Sequence, residues 1–392
     1  MPEGRLTIIP SVPVWMNEEQ IIFDRKFYDG LLMYVGAWSG PVSCVAYRTL
    51  TDFPFFGAIS KTRKELPFQL ELLPENKRVQ MTHLTGSAIV LASADDFRQL
   101  HVSALCRGIG AKCVYVVEYI PETRYQIVAI ESPHLLTRFR RNVFIWKTER
   151  KRLGAFALAH GIQANGTAAY HEYKKYDNCM LYFDTRMGRD DLVSDEELSR
   201  RLARLSLNRP LRLAFSGRLI GMKGADHLIR VAIGLRDRGL AFHLTVYGTG
   251  ELESAMRRDI QEHQLEGMVD MPGAVDFYGR LIPEIKSNID LYVMLHRQSD
   301  PSCTYLETLS CGIPIVGYAN KAFTGILEMA DVGRGMPMDD VAGVVEAIQQ
   351  LDSNRDRLAE QSRAAAEFSR RHAFEDTFQS RIDHLISLVH GS

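Results

Sequence analysis

Short apolar runs alternate with longer amphipathic stretches along almost the whole chain. In the first half, strand-like runs occupy 6–12, 42–47, 88–92, 113–118, 161–164 and 179–183, and helical stretches such as 23–36, 95–108 and 167–176 separate several of them. A strand that alternates with a helix favours a parallel sheet covered by helices. The first half is therefore predicted to be an α/β domain.

The second half repeats this pattern after a polar, acidic segment at 186–197. Strands are predicted at 211–216, 243–247, 268–271, 290–295 and 313–318, helices at 224–238, 251–263, 282–287 and 303–311, and a helical tail ends in 374–389. The whole chain is predicted to form two Rossmann-like domains with a cleft between them, bounded at 1–192 and 193–372. Ligands of such sheets bind beyond the carboxyl ends of the strands, so the loops that follow strands are the informative ones.

Composition excludes several classes of protein. The 392 residues are 46% hydrophobic and 24% charged with a formal net charge of −1, which suits a globular protein and gives no reason to expect nucleic acid as a partner. No apolar run approaches membrane-spanning length, and the start of the chain does not resemble a signal peptide. The six cysteines form no Cys-x-x-Cys pair, so we expect a reducing cytoplasm and no metal site.

Two cations follow the strand predicted at 211–216. Arg218 and Lys223 lie in a segment that also contains Gly217, Gly221 and Gly224. A guanidinium can hold two phosphate oxygens, and an ammonium adds a point charge beside it. The alternative is that both side chains are merely solvated, but cations oppose the dipole of a helix N-terminus by roughly 0.3–1 kcal/mol each. That unfavourable placement favours a phosphate site.

Two further segments are compatible with a nucleotide but leave alternatives open. Gly248-Thr249-Gly250 follows a strand, as a phosphate loop or an ordinary tight turn would. Glu307 is expected in the first turn of a short helix. It forms a capping box with Thr304, or else Ser302 is the N-cap and the helix N-terminus faces an anion while Glu307 holds ribose hydroxyls.

In order and spacing, these segments resemble the family 4 retaining glycosyltransferases of GT-B fold, the glycosyl transferases group 1. The resemblance covers roughly 211–320 and rests on Gly217-Arg218, Lys223-Gly224, Gly248-Thr-Gly250, Val269-x-Met-x-Gly-x-Val275 and Leu306-Glu-Thr-Leu-Ser-Cys-Gly-Ile-Pro-Ile-Val316. It implies that the terminal helix, 373–392, packs back on the N-terminal, acceptor-side domain. The N-terminal half matches only in its alternating pattern.

The resemblance also implies roles for individual residues. Arg218 and Lys223 would bind the donor diphosphate, and Glu307 matches the second glutamate of the family's Glu-x7-Glu motif, which holds the ribose. The remaining donor-binding positions implied are Gly217, Gly248, Thr249, Met271, Gly273, Ser302, Cys303 and Thr304. The nucleotide sugar is then a substrate, and no cofactor or metal is expected because the two cations neutralise the diphosphate.

Three departures from the family pattern change what we expect. The first glutamate of the motif falls at Ser299, so Asp300 beside it is a candidate replacement. The histidine that the family often places after the strand at 113–118 is missing, so Glu118 is a candidate contact to a sugar hydroxyl or a candidate base, or simply a polar strand end. Residues 5–29 contain no glycine, so the Gly-rich loop common after the first strand is absent.

The segment 138–152 holds seven basic residues together with Phe139, Phe144 and Trp146. Such a segment can dock on anionic lipid at the inner face of the membrane, where a lipid-linked acceptor would lie. It can equally be a solvated helix with one buried apolar stripe. Three functions remain for the chain: a glycosyltransferase of cell-surface polysaccharide or glycolipid synthesis, a catalytically weak GT-B protein that binds nucleotide or a partner, and a nucleotide-sugar epimerase.

Overall fold

The computed structural model describes residues 4–17, 20–49, 57–205 and 209–391. They form two compact units of similar size. One unit consists of the described residues of Met1–Tyr182 and Glu375–Ser392, and the other of those of Phe183–Phe374. Each unit is an α/β structure around its own sheet, as the sequence pattern predicts.

The first unit contains a sheet of ten strands within the described residues. The strands are β1 (Arg5–Ile9), β2 (Val14–Asn17), β3 (Gln20–Asp24), β4 (Val42–Thr49), β5 (Ala58–Thr62), β6 (Gln69–Pro74), β7 (Ser87–Ser93), β8 (Lys112–Val117), β9 (Gly161–Asn165) and β10 (Cys179–Tyr182). The helices are α1 (Arg25–Ala37), α2 (Met81–Leu84), α3 (Val102–Ile109), α4 (Pro121–Glu131), α5 (Leu135–Leu158) and α6 (Gly166–Tyr173).

The strand order is β10-β9-β8-β7-β1-β4-β2-β3-β5, and β6 also pairs with β4. In the part of this order that runs from β10 to β4, each strand is parallel to the next, whereas β2–β3 and β3–β5 are antiparallel. The central strands are buried because helices cover both faces of a parallel sheet. The chain continues from β1 into β2 and β3. This is the segment in which the Gly-rich loop of the family was predicted to be absent. The predicted helix at 23–36 begins only at Arg25, since Asp24 is its N-cap and accepts a hydrogen bond from the Phe27 amide.

The second unit contains a six-stranded parallel sheet within the described residues. The strands are β11 (Leu211–Ser216), β12 (Phe242–Tyr247), β13 (Val269–Gly273), β14 (Leu291–Met294), β15 (Ile315–Tyr318) and β16 (Gly333–Met336). The helices are α7 (Asp195–Leu205), α8 (Ala225–Asp237), α9 (Glu253–Glu262), α10 (Ile282–Asn288), α11 (Cys303–Ser310), α12 (Lys321–Met329), α13 (Val341–Ser353) and α14 (Arg355–Arg370).

In this second sheet the order in which strands are added reverses between the neighbouring strands β11 and β14. The order β13-β12-β11-β14-β15-β16 places the earlier strands on one side of β11 and the later strands beyond β14. Loops that leave β11 and β14 at their carboxyl ends therefore diverge and form a crevice, which is where open α/β sheets bind ligands. The segments after β11 and β14 are those that contain Arg218, Lys223 and Asp300.

The last helix, α15 (Phe374–His390), belongs to the first unit from Glu375 onward. The Arg381 guanidinium lies over the rings of Tyr182 and Phe378, and its Nε donates to Gln163 Oε1 at 2.8 Å. This buried contact fixes α15 against β9 and β10. The prediction that the terminal helix returns to the N-terminal domain is confirmed.

Among the helices described, none combines the length and the apolar character needed to cross a bilayer.

Candidate functional site

The loop after β11 turns sharply at Gly224. This residue has φ +69°, and a Cβ at its position would overlap the carbonyl oxygen of Leu295, which follows β14. Only glycine fits this left-handed conformation at such a close approach of two backbones. The single 3₁₀ turn Gly221–Lys223 is thereby held against the end of β14, with Lys223 at the crevice.

Lys223 lies between two groups of the segment that follows β14. Its Nζ is 3.7 Å from Asp300 Oδ2 and 3.5 Å from Ser302 Oγ, and the Lys223 and Asp300 side chains are only 12% and 14% exposed. Burial lowers the pKa of the lysine, the Asp300 carboxylate opposes that shift, and the nearby charge of Arg218 adds to it. The structure thus brings the predicted residues Lys223, Asp300 and Ser302 together.

Arg218 differs from Lys223 in its surroundings. Its side chain is exposed, and within the described part of the chain its guanidinium makes no hydrogen bond or ion pair. Its charge is close enough to lower the pKa of Lys223. The site therefore has one buried cation fixed by an acid and one exposed cation whose donors are available to a ligand.

The helix α11 settles an alternative that the sequence left open. Ser302 is the N-cap and Thr304 lies inside the helix, which decides against the alternative of a capping box between Thr304 and Glu307. Glu307 is the fifth residue of the helix, so it lies in the second turn and not in the first as predicted. Cys303 is the first helical residue, and its Sγ lies 3.9 Å from Asp184 Oδ2.

Glu307 instead forms an ion pair with an arginine from the segment that begins the second unit. Its Oε1 lies 2.9 Å from Arg186 Nε, and the Arg186 guanidinium lies over the Phe277 ring. The carboxylate is largely buried. This arrangement orients a charged acceptor that can take hydrogen bonds from hydroxyl groups. Arg186 was missed because it lies in a polar stretch that predicts only a linker.

The predicted glycines lie at the ends of three adjacent strands. The Gly217 amide donates to Tyr247 O, and the Gly248 amide donates to Gly273 O. A Cβ at Gly248 would overlap the Gly217 carbonyl oxygen, so the two loops touch through their backbones. These contacts place Gly217, Gly248 and Gly273 along one edge of the sheet.

Two other predicted donor residues lie beside these glycines. Thr249 is exposed and its carbonyl accepts a hydrogen bond from the Leu219 amide. The Met271 side chain packs against the core of the unit, and its carbonyl accepts a hydrogen bond from Arg257. Any contact of Met271 with a base would therefore depend mainly on its backbone.

Ser299, which stands at the position of the family's first glutamate, and Asp300, the candidate replacement for that glutamate, have different environments. Ser299 is buried and its Oγ accepts a hydrogen bond from the Lys321 amide, so its hydroxyl is committed to the scaffold. Asp300 Oδ1 is buried and has no hydrogen-bond partner within the described residues. Asp300 is thus the carboxylate that this segment directs toward Lys223.

A residue that sequence reasoning missed lies close enough to Lys223 to feel its charge. His296 is almost fully buried, and neither ring nitrogen has a hydrogen-bond partner in the described part of the structure. Burial and the charge of Lys223 hold its pKa well below the usual range. Its ring packs edge-on against Phe215 and Tyr305. The sequence signal that could have found His296 is its position, since it is a polar residue that follows the apolar run of β14 at the switch point.

Glu118 belongs to the first unit and follows β8. Its backbone amide donates to Asp95 Oδ2 at 2.7 Å, and Arg124 Nη2 donates to Asp95 Oδ1 at 2.8 Å. The fully buried Arg152 lies 3.9 Å from the same carboxylate. Asp95 therefore organises the ends of β7 and β8 and fixes the backbone at Glu118.

The two parallel-sheet units and the phosphate-compatible loops at the switch point define the GT-B class of glycosyltransferase folds. Residues 199–368 match the family described as glycosyl transferases group 1, which confirms the resemblance predicted from the motifs. The matched residues make up most of the second unit.

A curated relative also matches part of the chain. The putative colanic acid biosynthesis glycosyltransferase WcaL of Escherichia coli is 26% identical over 160 residues, which are 37% of this chain and 37% of WcaL. The match thus spans little more than a third of that relative.

Among solved structures, Anabaena HepE in complex with UDP has a TM-score of 0.64 at 12% identity, covering 98% of this chain and 99% of HepE. WaaG, a glycosyltransferase involved in lipopolysaccharide biosynthesis, has a TM-score of 0.58 at 12% identity, covering 99% of this chain and 100% of WaaG. At such identity these likenesses establish the fold.

Proposed function

We propose that the protein is a retaining glycosyltransferase. It moves a sugar from a nucleotide-diphosphate donor to a glycan or lipid-linked acceptor in cell-surface polysaccharide or glycolipid synthesis, in the cytoplasm. The observation that carries the proposal is the pair of cations at the switch point, one buried and fixed by Asp300, the other exposed and available. The ligands of the HepE complexes, UDP and UDP-glucose, are those expected of such a donor site.

The chemistry follows from where negative charge develops. Cleavage of the bond between the anomeric carbon and the diphosphate leaves charge on a phosphate oxygen, and positioned cations stabilise that charge. Removing one such donor typically lowers the rate by about 10²–10³. Arg218 and Lys223 supply two cations, and the N-terminus of α11 beside Ser302 adds amide dipoles. We propose that this set makes a divalent metal unnecessary.

Three other residues take supporting roles in this proposal. Glu307, oriented by Arg186, accepts hydrogen bonds from the ribose hydroxyls. Asp300 takes the place of the family's first glutamate toward the donor sugar, and Glu118 contacts a sugar hydroxyl or accepts the acceptor proton.

One observation favours a second candidate function, a catalytically weak protein that binds nucleotide. Ser299 replaces the family's first glutamate, and its hydroxyl is committed to the Lys321 amide. In that case the donor would bind without efficient transfer. Release of free sugar or nucleotide from the bound donor separates the two functions, because the weak protein would bind the donor and leave it intact.

The test is a calorimetric binding screen of the purified chain against UDP, GDP, ADP and their common sugars. We expect one nucleotide to bind selectively, and we expect Lys223→Ala to weaken that binding by about 10- to 100-fold. Arg258→Ala is the matched control, since Arg258 is an exposed cation of α9 with no ion pair among the described residues. Failure of every nucleotide to bind would refute the donor site, and binding unaffected by Lys223→Ala would refute its location.

A further inference from the structure

The long helix α5 carries apolar side chains on two faces. One face is buried in the first unit through Ile145, Thr148, Arg152, Ala155 and Phe156. The sequence alone allowed the aromatic residues of this segment to form such a buried stripe. The structure instead leaves the Phe139, Phe144 and Trp146 side chains 65%, 54% and 50% exposed.

The exposed apolar residues are arranged along the helix and are not scattered. Leu136, Phe139, the half-buried Val143, Trp146 and the cation Arg150 follow one another at spacings of three and four residues, which places them on one side of an α-helix. The buried residues of α5 lie on the opposite side by the same geometry. We call this set the exposed stripe. Isolated exposed apolar residues need no explanation, whereas a contiguous patch marks an interaction surface.

Neighbouring residues enlarge this apolar surface. Leu135 and Leu136, at the start of the helix, are 82% and 63% exposed. Phe97, from the loop after β7, is also exposed and packs edge-on against Phe144. The apolar surface of the stripe therefore includes the first turn of α5, whereas Phe144 and Phe97 form a separate exposed apolar contact on another side of the helix.

Positive charge borders the exposed stripe. Four exposed cations make no hydrogen bond or ion pair through their side chains within the described residues, and we call them the four free cations: Arg138, Arg140, Lys147 and Lys151. The Arg150 guanidinium lies over the Trp146 ring. The two acidic groups nearby are already paired, since Glu131 contacts Arg141 and Glu149 contacts the buried Arg152.

This combination selects one kind of partner. A second copy of the chain, docked through the same face, would place like charges opposite one another, which is unfavourable. An anionic bilayer surface supplies mobile negative headgroups to all of the cations at once, and its acyl region accepts the apolar side chains. We propose that the exposed stripe and the four free cations dock the protein on an anionic lipid surface, with α5 lying in the interface. Docking of this kind does not depend on the proposed transferase activity.

Co-sedimentation with lipid vesicles tests the proposal. The full chain is mixed with vesicles of phosphatidylcholine alone or with added phosphatidylglycerol, at low and moderate salt. We expect binding to the anionic vesicles, weakened by salt, and little binding to the neutral ones. Each cation near the surface is expected to contribute about fivefold, which corresponds to about 1 kcal/mol.

Two sets of substitutions separate the contributions. Glutamine at the four free cations should weaken binding by a few hundredfold and remove its salt dependence. Alanine at three members of the exposed stripe should lower the binding that persists at moderate salt, by about tenfold per side chain. The substitutions are Arg138→Gln, Arg140→Gln, Lys147→Gln and Lys151→Gln in one variant, and Leu136→Ala, Phe139→Ala and Trp146→Ala in the other.

A matched control replaces two exposed methionines of the second unit, Met329→Ala and Met338→Ala, and should bind as the parent does. All substituted side chains are exposed, and thermal unfolding by circular dichroism checks that each variant is folded. No binding to anionic vesicles, or equal binding to neutral ones, would overturn the proposal. So would self-association that light scattering detects in the parent and not in the alanine variant, because a second copy would then occupy the stripe.

Discussion

Lys223→Ala and Arg218→Ala should separate the stability of the second unit from its affinity for nucleotide. Lys223 is buried beside Asp300, with 3.7 Å between Nζ and Oδ2. Its removal leaves a mostly buried carboxylate, one oxygen of which already has no hydrogen-bond partner among the described residues. Arg218 is exposed and makes no side-chain hydrogen bond or ion pair there, so its removal breaks no contact of the unliganded protein.

The magnitudes follow from these environments. Breaking a buried ion pair by removing one partner typically costs about 3–5 kcal/mol, and partial exposure of both groups places this pair at about 3 kcal/mol. An exposed substitution changes stability by no more than about 0.5 kcal/mol. Both variants lose a charged hydrogen-bond donor to the nucleotide, which is worth about 1.5–3 kcal/mol, or about 10- to 100-fold in affinity.

Urea unfolding followed by far-ultraviolet circular dichroism measures the stability, and calorimetry measures the affinity. Tryptophan fluorescence is unsuitable because Trp15, Trp38 and Trp146 all belong to the first unit. A double variant, Lys223→Ala with Asp300→Asn, should recover part of the lost stability because no unpaired carboxylate remains. Equal destabilisation by the two single variants would refute the reasoning about the ion pair. Unchanged affinity in Arg218→Ala would refute its role in the donor site.

Three further changes test other parts of the second unit. Glu307→Gln should weaken nucleotide affinity about tenfold in calorimetry; a loss of stability at unchanged affinity would contradict its ribose role. Burial lowers the pKa of His372 to about 4. The contribution of neutral His372 to the free energy of unfolding is therefore complete above about pH 6.5. Up to about 3 kcal/mol of it is lost as the pH falls toward 4. His372→Phe should make the free energy of unfolding, measured with urea, less dependent on pH over that range. An unchanged pH dependence would contradict this. Gly224→Ala should cost more than about 2 kcal/mol and abolish nucleotide binding because its Cβ meets Leu295. Gly239 has a similar positive φ but open space around it, so Gly239→Ala should cost only about 1 kcal/mol of stability. Equal losses of stability in the two variants would show that backbone strain, and not the contact with Leu295, is responsible.

The sequence predicts the second unit better than the first for a physical reason. The strands of a parallel sheet covered on both faces are continuous apolar runs, and β11 was predicted with its observed bounds. The antiparallel strands β2, β3 and β5 were missed. β3 alternates buried and less buried residues and runs directly into α1, so no turn separates them. β5 is only partly buried and contains polar residues, so its apolar signal is weak.

Local motifs predicted which residues face the crevice but not how those residues pair. Lys223 and Asp300 were both candidates, yet their contact depends on β11 lying next to β14, and strand order is not encoded in spacing along the chain. The ion pair between Arg186 and Glu307 joins an unremarkable polar linker to a helix. A capping box at Thr304 was an equally good local interpretation of Glu307, and only the observed start of α11 at Cys303 decides against it.

The burial of Lys223 explains why an acid belongs in a site proposed for a diphosphate. A lysine that loses its hydration has a lowered pKa, and without a counter-charge it would tend to become neutral. The carboxylate of Asp300 opposes this lowering of the pKa and so favours the charged ammonium. A bound diphosphate would bring more negative charge into a region from which water is largely excluded, where its attraction to the cation is stronger than in solution. The Asp300 carboxylate would also repel phosphate. Its proposed role therefore requires it to lie at the edge of the anion site, on the side of the donor sugar.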